Sequence, residues 1–395
     1  MKKIFPFFLV FLCIFSRLYG QYNSILSEGD WYQISTQKDG VYKLDYSSFL
    51  ELGVEMNNLQ IHAIKLYGNG GGMLSQLNST FRHDDLVENS IKVYDLNANG
   101  VFENGDYILF YGQSPNTWSF DSSSAIFSHQ LHLFSDVVNY YITVNNQPVS
   151  KKILEKQILT NPTKTITSFN DFAFHEAELE NIISSGRQWF GERFEYQNNQ
   201  SFNFSFPNIE ENIPATIKTS VVARSLSIST FKILANNTTL TTISVPNIVS
   251  TFNTEYAKKI SKSTLYNSNS SNISIGLEYS SSDNGAISWL DYIEINVIRK
   301  LKMHSHAMLF RDASSLSQEI GNFQIADAVG IVVWDITDPT NVSQLPSTIV
   351  GNTLEFNDSL NILHEYIAFN GTVYLSPILN GSIDNQNLHN LDSDI

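Results

Sequence analysis

The sequence predicts a mainly β fold, with several β-sandwich or jelly-roll-like domains in series and few short helices. Short runs of alternating apolar and polar residues recur along the whole 395-residue chain, as in half-buried strands. Clusters of Asn, Asp, Ser and Gly separate these runs, as in turns between strands. No repeat of fixed period and no heptad pattern competes with this interpretation.

The first elements are predicted from local turn signals. Trp31–Thr36 and residues 41–44 are predicted strands. The turn Lys38-Asp39-Gly40 between them predicts a hairpin, because Gly tolerates the positive φ of a tight turn. A short helix is predicted at Tyr46–Leu52, and Gly53 is predicted to close it.

The next group of elements mixes one predicted helix with predicted strands. Residues 171–183 are predicted to be helical, with Asn170 as the N-cap. Alternate phenylalanines within residues 202–206 are predicted to share one face of a strand. The Asn236-Asn237 pair predicts a second hairpin, since Asn tolerates the left-handed conformation.

Residues 287–297 are predicted to form one long strand, with Trp289 and Ile293 on the same apolar face. Asp291 falls on that face by parity. A buried carboxylate needs a partner, so Asp291 is either a hydrogen-bonded core residue or a ligand contact.

These elements group into a predicted domain order. Residues 151–167 are polar and contain Pro162, which indicates a linker. The segments are a signal peptide at 1–20, an N-terminal β domain at 21–150, the linker, a β-sandwich domain at 168–300 and a third β domain at 301–390.

The N-terminus predicts export. Lys2 and Lys3 precede an apolar run that is too short to span a bilayer, and Gly20 offers a cleavage point. An N-terminal membrane anchor is the alternative. The only cysteine, Cys13, lies inside this signal, so the mature chain is expected to have no disulfide, no zinc–thiolate site and no thiol nucleophile.

Composition excludes one class of partner. The formal net charge is −15, with 39 acidic and 24 basic side chains. Nucleic-acid binding needs clustered Lys and Arg, so no nucleic-acid partner is expected.

One segment has the spacing of a calcium loop. Oxygen-bearing side chains lie at its first, third, fifth and twelfth positions, and Gly100 lies at the sixth. The predicted ligands of this weak site are Asp95, Asn97, Asn99, the Val101 carbonyl and Asp106. The twelfth residue is Asp rather than Glu and the flanks resemble strands, so an Asn/Asp/Gly-rich turn is the alternative.

Other motifs for catalysis are incomplete. His364-Glu365 begins like a zincin helix, but Ala368 stands where the second His is required. No Gly-x-Ser-x-Gly elbow occurs in the sequence. No catalytic residue and no required cofactor can therefore be assigned.

Taken in order, several strings resemble the N-terminal region of the type IX secretion system sortases, the PorU family. The resemblance spans nearly the whole mature chain. It rests on GVYKLDYSSFLELG at 40–53, LYGNGGG at 66–72, DLNANGVFENGDYILFYG at 95–112, SGRQWFGERF at 185–194, SWLDYIEIN at 288–296, LFRD at 309–312, VVWDITDP at 332–339 and NQNLHNLDSDI at 385–395.

The resemblance implies a function. The family is exported in Bacteroidetes, is gingipain-like, and uses a histidine-activated cysteine. It implies cleavage of C-terminal sorting signals from secreted proteins and their attachment to the outer surface. The implied partners are outer-membrane secretion-system components and proteins with C-terminal sorting domains, and the implied location is the cell surface or outer membrane.

No catalytic Cys/His pair can be carried over to this sequence. The chain is therefore expected to be the non-catalytic N-terminal part, with an α/β peptidase domain starting at 391–395 and continuing beyond. The alternative is an exported β-sandwich binding module, such as a carbohydrate-binding or adhesin domain.

Overall fold

The computed structural model describes residues 23–145, 148–184, 188–249, 251 and 254–391. It is a mainly β protein with several packed sheets, as the sequence predicts. None of the helices in these residues is long and apolar enough to cross a membrane. The predicted signal peptide lies outside the described residues, as do the last four residues of the predicted peptidase start.

Strands account for most of the ordered elements. The first part of the chain contains short 3₁₀ turn Ile25–Ser27, β1 Trp31–Thr36, β2 Gly40–Asp45, α1 Tyr46–Leu52, β3 Ile64–Tyr67, β4 Glu88–Asn89, β5 Lys92–Tyr94, β6 Tyr107–Gly112, β7 Thr117–Asp121, β8 Ile126–Gln130 and β9 Val138–Val144. The middle contains β10 Leu154–Glu155, β11 Lys164–Ile166, β12 Ser168–His175, β13 Arg193–Phe194, β14 Asn199–Ser205, β15 Ala215–Arg224, β16 Ser229–Ala235, β17 Thr238–Val245, β18 Lys258–Tyr266, β19 Asn272–Ser281 and β20 Ile287–Lys300. The last part contains β21 Ala307–Phe310, β22 Ile320–Ile325, β23 Val332–Asp335, β24 Ser343–Gln344, β25 Thr348–Val350, β26 Thr353–Ser359, β27 Tyr366–Phe369, β28 Ile378–Ile383 and the 3₁₀ turn Leu388–Asn390.

The helix α1 forms where local capping signals predict it. The Asp45 side chain accepts a hydrogen bond from Ser48 N at 3.0 Å, and the Ser48 hydroxyl accepts one from Asp45 N at 3.4 Å. Gly53 ends the helix with φ +87°, in the left-handed region that favours glycine. The prediction of this helix is confirmed.

The predicted hairpin between β1 and β2 is wrong. β1 is flanked by β28 and β9, whereas β2 pairs with β6 in another sheet. Because both edges of β1 are already paired, the chain must cross from one sheet to the other. Gly40 lies at this crossing, where a Cβ atom would meet Leu375 Cδ1 at 2.6 Å.

A two-sheet sandwich occupies the middle of the chain. One sheet has the order β12-β20-β15-β18, and the facing sheet has the order β14-β19-β16-β17. Phe202, Phe204 and Phe206 are buried in the core between them, which confirms their predicted shared face. The β16–β17 hairpin is also confirmed; both Asn236 and Asn237 have positive φ.

The predicted helix at 171–183 is wrong, because its first residues belong to β12. That strand pairs along its whole length with β20. Phe172 and Phe174 alternate along it, and the period of two characterises a strand. Asn170 does not cap a helix; its Oδ1 accepts a hydrogen bond from Ala313 N at 2.8 Å.

The predicted single apolar face of β20 is interrupted by a bulge. Asp291 is the extra residue of this bulge, because Val221 pairs with Leu290 and Ser220 pairs with Tyr292. The alternation of faces along β20 is therefore interrupted at Asp291. Trp289 packs with Phe190 and Val222, whereas Ile293 enters the main sandwich core. Asp291 itself forms an ion pair with Lys259 at 2.7 Å.

A second pair of sheets follows, with the orders β10-β24-β23-β27-β21 and β11-β22-β26-β25. Strands β10 and β11 come from the segment predicted as a linker, and β28 returns to pair with β1. An apolar cluster that includes Leu109, Trp334 and Phe369 joins β6 to β23 and β27. The domain boundaries stay a prediction.

Candidate functional site

The predicted calcium loop folds back on itself through its own side chains. Asp95 Oδ2 accepts a hydrogen bond from Gly100 N at 2.8 Å, and Asn97 Oδ1 accepts one from Asn99 N at 3.2 Å. Asn99 Oδ1 accepts one from Val101 N at 2.7 Å. Gly100 has φ +81°, a left-handed conformation that the sharp turn requires and that glycine tolerates.

The last predicted ligand of this loop is buried. Asp106 Oδ1 accepts a hydrogen bond from Leu96 N and Oδ2 accepts one from Glu103 N, both at 2.9 Å. All the predicted ligands are thus held in one compact loop. The same contacts also close an ordinary Asx-rich turn, so calcium binding at this loop stays a prediction.

A second group of candidate ligands brings together residues that are distant in sequence. Ligand atoms of Asp335, Asp358 and His364 lie within 4.8 Å of one another. Asp335 ends β23 and Asp358 lies in β26 of the facing sheet, while His364 precedes β27. No short motif marks this set, and the sequence analysis missed it.

Lys156 occupies the centre of this group, which we call the Lys156 cluster (Lys156, Asp335, Asp358, His364 and Tyr366). Its ammonium contacts Asp335 Oδ2 and lies 2.8 Å from Asp358 Oδ2. Burial alone would lower the pKa of Lys156, but hydrogen bonds to both carboxylates outweigh burial and raise it. The donor set could hold a divalent ion only if that ion displaced the lysine.

The remaining contacts of the Lys156 cluster satisfy its polar atoms. His364 Nδ1 lies 3.2 Å from Asp335 Oδ2, and the Tyr366 hydroxyl donates to Asp358 Oδ2 at 3.1 Å. Burial raises the pKa of Tyr366, and the neighbouring Asp358 carboxylate raises it further. Burial alone would also raise the pKa of Asp335, but its hydrogen bonds to His364 and Lys156 lower it.

The β7–β8 hairpin forms a third polar centre, where it docks on the sandwich. Phe127 N donates to Asn296 Oδ1 at 2.8 Å, and Asn296 Nδ2 donates to the Phe127 carbonyl at 2.9 Å. His129 Nδ1 lies 2.7 Å from Glu294 Oε1, and its Nε2 contacts Glu176. These contacts tie the N-terminal sheets to the middle sandwich.

A buried arginine completes the docking of this hairpin. The Arg311 guanidinium lies 4.9–5.4 Å from the ring centroids of Trp118, Phe127 and Phe172. Its Nη2 donates to Glu365 Oε1 at 2.6 Å. Cation–π contacts gain strength when they are desolvated, as here.

Comparison with known proteins identifies the fold. No protein-family model and no curated protein matches the sequence. Among solved structures, the crystal structure of dimeric latent PorU from Porphyromonas gingivalis matches with a TM-score of 0.77 and 21% sequence identity. The match covers 94% of this chain and 34% of the PorU chain, so this chain spans about a third of that protein's length.

Two further matches are much weaker. A carbohydrate-binding module CBM36 in complex with calcium and xylotriose covers 33% of this chain, with a TM-score of 0.20 and 14% identity. Recombinant peptide:N-glycanase F covers 70% of this chain and 86% of its own, with a TM-score of 0.23 and 8% identity. The match to latent PorU, at a TM-score of 0.77, shows that the chain has a PorU-like fold.

Proposed function

We propose that this chain is the N-terminal, non-catalytic region of a type IX secretion system sortase-like cysteine endopeptidase. The observation that carries the proposal is the PorU-like fold over 94% of the chain. The ordered strings of sequence that resemble this family support the proposal independently of the structure.

In this proposal, the whole enzyme cleaves C-terminal sorting signals from secreted proteins and attaches those proteins to the cell surface. The chain is exported and works at the outer membrane, next to secretion-system components. The catalytic cysteine and histidine belong to a peptidase domain outside this sequence, because the only cysteine here is Cys13 in the predicted signal.

In this proposal, the β region docks the enzyme to its secretion-system partners and positions the peptide substrate. Sheets contributed by distant parts of the chain are joined by buried contacts, such as the ion pair of His129 with Glu294 and the cation–π contact of Arg311 with Trp118. The buried His129–Glu294 pair favours one arrangement, because removal of either partner leaves an uncompensated charge. A rigid platform is what presentation of a peptide substrate to a separate catalytic domain requires.

Deletion of the gene in its native bacterium tests this function. Surface proteins that carry C-terminal sorting domains should then retain those domains, which mass spectrometry of the secreted and surface fractions detects. Complementation with the full reading frame should restore cleavage. Normal removal of the sorting domains in the deletion strain would overturn the proposal.

A second experiment separates the proposal from the alternative of a binding module. The mature chain alone should not turn over a sorting-signal peptide, because it has no thiol nucleophile. It should also give no specific signal on a glycan array. Saturable binding to one class of glycan, together with intact sorting in the deletion strain, would establish the binding module instead.

A further inference from the structure

The Lys156 cluster joins two sheets through one amine and two carboxyl groups. Lys156 follows β10, and its side chain crosses β24 to reach Asp335 at the end of β23 in the same sheet. Asp358 reaches the same ammonium from β26 in the facing sheet. Both Asp residues are buried, and the ring of Tyr366 lies 5.1–5.5 Å from its aromatic neighbours Phe310 and Phe356.

We propose that Lys156 and Asp335 form an intramolecular amide bond between Nζ and Cγ. An amine held against a buried carboxyl group in a rigid site has a high effective concentration, which can drive a condensation that does not occur in water. The contacts within the Lys156 cluster, together with those of the neighbouring Thr337, supply what such a condensation needs.

The Asp335 carboxyl group is arranged as the electrophile. Its Oδ1 accepts hydrogen bonds from Thr337 N at 2.9 Å and from Thr337 Oγ1 at 2.5 Å. Two donors on one oxygen stabilise the negative charge that develops there when an amine attacks the carbon. The other oxygen, Oδ2, faces His364 Nδ1 at 3.2 Å, so an imidazole N–H can protonate it as it leaves.

Asp358 is arranged as the base. Its Oδ2 lies 2.8 Å from Lys156 Nζ and can accept a proton from the ammonium. The Tyr366 hydroxyl donates to the same oxygen at 3.1 Å and holds it in place. Because the raised pKa of Lys156 favours the ammonium, the reactive neutral amine is a minor state and the bond forms slowly.

The step balances without a further reactant. The neutral amine attacks Cγ of Asp335, and the N–C bond forms while the C–Oδ2 bond breaks. The protons released from nitrogen pass to the leaving oxygen through Asp358 and His364. One water molecule leaves, and nothing is oxidised or reduced.

The bond would supply a covalent tie that this chain otherwise lacks. Lys156 and Asp335 are 179 positions apart, so the cross-link closes a very long loop. The sequence holds no cysteine besides Cys13, and therefore no disulfide can stabilise the exported chain.

Intact-mass spectrometry of the purified, denatured chain tests the proposal. The N-terminal residue is determined separately, so that the sequence mass is known. The wild-type chain should be lighter than its sequence mass by one water molecule. A protease digest should yield a branched peptide that contains both Lys156 and Asp335. The full sequence mass after prolonged incubation of the folded chain, or a water loss that maps to other residues, would overturn the proposal.

Variants assign the roles within the Lys156 cluster. Lys156→Arg keeps the positive charge but cannot form the bond, and Asp358→Asn removes the base; both should have the full sequence mass. Lys164→Arg is the matched control, because Lys164 pairs with Glu319 at the surface, and it should remain one water lighter. A water loss that persists in Lys156→Arg would contradict the assignment even if the other variants fail to fold.

Discussion

Glu294 Oε1 lies 2.7 Å from Nδ1 of His129 and 2.9 Å from the backbone nitrogen of the same residue. The other ring nitrogen of His129 contacts Glu176, so both nitrogens face carboxylates. Both can donate only when the imidazole is protonated. Lys218 reaches Glu294 Oε2 at 3.2 Å and completes the local balance of charge.

We predict that this contact makes stability depend on pH. Burial alone would lower the pKa of His129, but hydrogen bonds to Glu176 and Glu294 outweigh burial and raise it. A His with a raised folded-state pKa stabilises the protein fully below its unfolded pKa of about 6.5, and this contribution is lost as pH rises through the folded pKa.

Denaturant unfolding of the wild type and His129→Gln measures this contribution. The wild type should be more stable by about 2 kcal/mol in mildly acidic solution, and the difference should shrink in alkaline solution. His175→Gln is the control, since His175 pairs with Glu192 alone and is more exposed. A difference that stays constant with pH would contradict the prediction.

Loss of the Arg311 side chain should weaken the docking of the β7–β8 hairpin. In Arg311→Met the Glu365 carboxylate loses its partner, and the rings of Trp118 and Phe127 lose their cation. We expect a loss of about 3 kcal/mol in the free energy of unfolding, because one partner of a buried ion pair is removed. Chemical denaturation followed by tryptophan fluorescence measures it.

The matched control for this prediction is Arg193→Met. Arg193 is partly exposed, and its guanidinium lies 6.0 Å from the Trp289 ring while it pairs with Glu195. Exposed pairs contribute roughly 0–1 kcal/mol. Equal losses in the two variants would show that burial does not govern the strength of the Arg311 contacts.

The parts of the fold that could be predicted are those specified by neighbouring residues. The helix α1 follows from the Asp45 cap and Gly53, and the β16–β17 turn follows from two adjacent asparagines. The β1–β2 hairpin was wrong because the turn signal at Gly40 cannot reveal that both edges of β1 are taken by distant strands.

The two candidate sites also differ in whether neighbouring or distant residues form them. The proposed calcium ligands lie within twelve positions, so their spacing is visible in the sequence. The Lys156 cluster draws its members from within or next to four strands, β10, β23, β26 and β27, in two sheets, and no local pattern joins Lys156 to Asp335 or Asp358. Only the tertiary pairing of the sheets brings these residues together.

The buried Asp39 carboxylate should lower the free energy of unfolding at neutral pH, whereas protonated His129 should raise it. Burial raises the pKa of Asp39 to about 6, although a hydrogen bond from Ser114 N opposes the shift; the Glu365 carboxylate adds to it. A carboxyl group whose folded pKa is raised above its unfolded value destabilises the protein above that folded pKa, and the penalty disappears as pH falls towards the unfolded value.

The variant Asp39→Asn keeps the oxygen that accepts from Ser114 N and removes the charge. It should be more stable than the wild type by about 3 kcal/mol in alkaline solution and nearly equally stable near pH ~4, since one unit of pKa shift corresponds to about 1.4 kcal/mol. Asp84→Asn, at an almost fully exposed position, should change nothing. A variant that is less stable at every pH would contradict the prediction.

Calcium should stabilise the chain if the loop at Asp95, Asn97, Asn99, Val101 and Asp106 binds it. Only two of the four side-chain ligands are charged, so we expect a dissociation constant toward the weak extracellular range, about 10⁻⁴ to 10⁻³ M. By mass action, calcium at about ten times that constant should add about 1.4 kcal/mol to the free energy of unfolding.

The measurements are the melting temperature with and without millimolar calcium, and calorimetric titration. Asp95→Ala should abolish the shift, and Asp121→Ala, at the end of β7, should retain it. No binding heat and no calcium-dependent shift in the wild type would leave the loop as a turn closed by its own side chains.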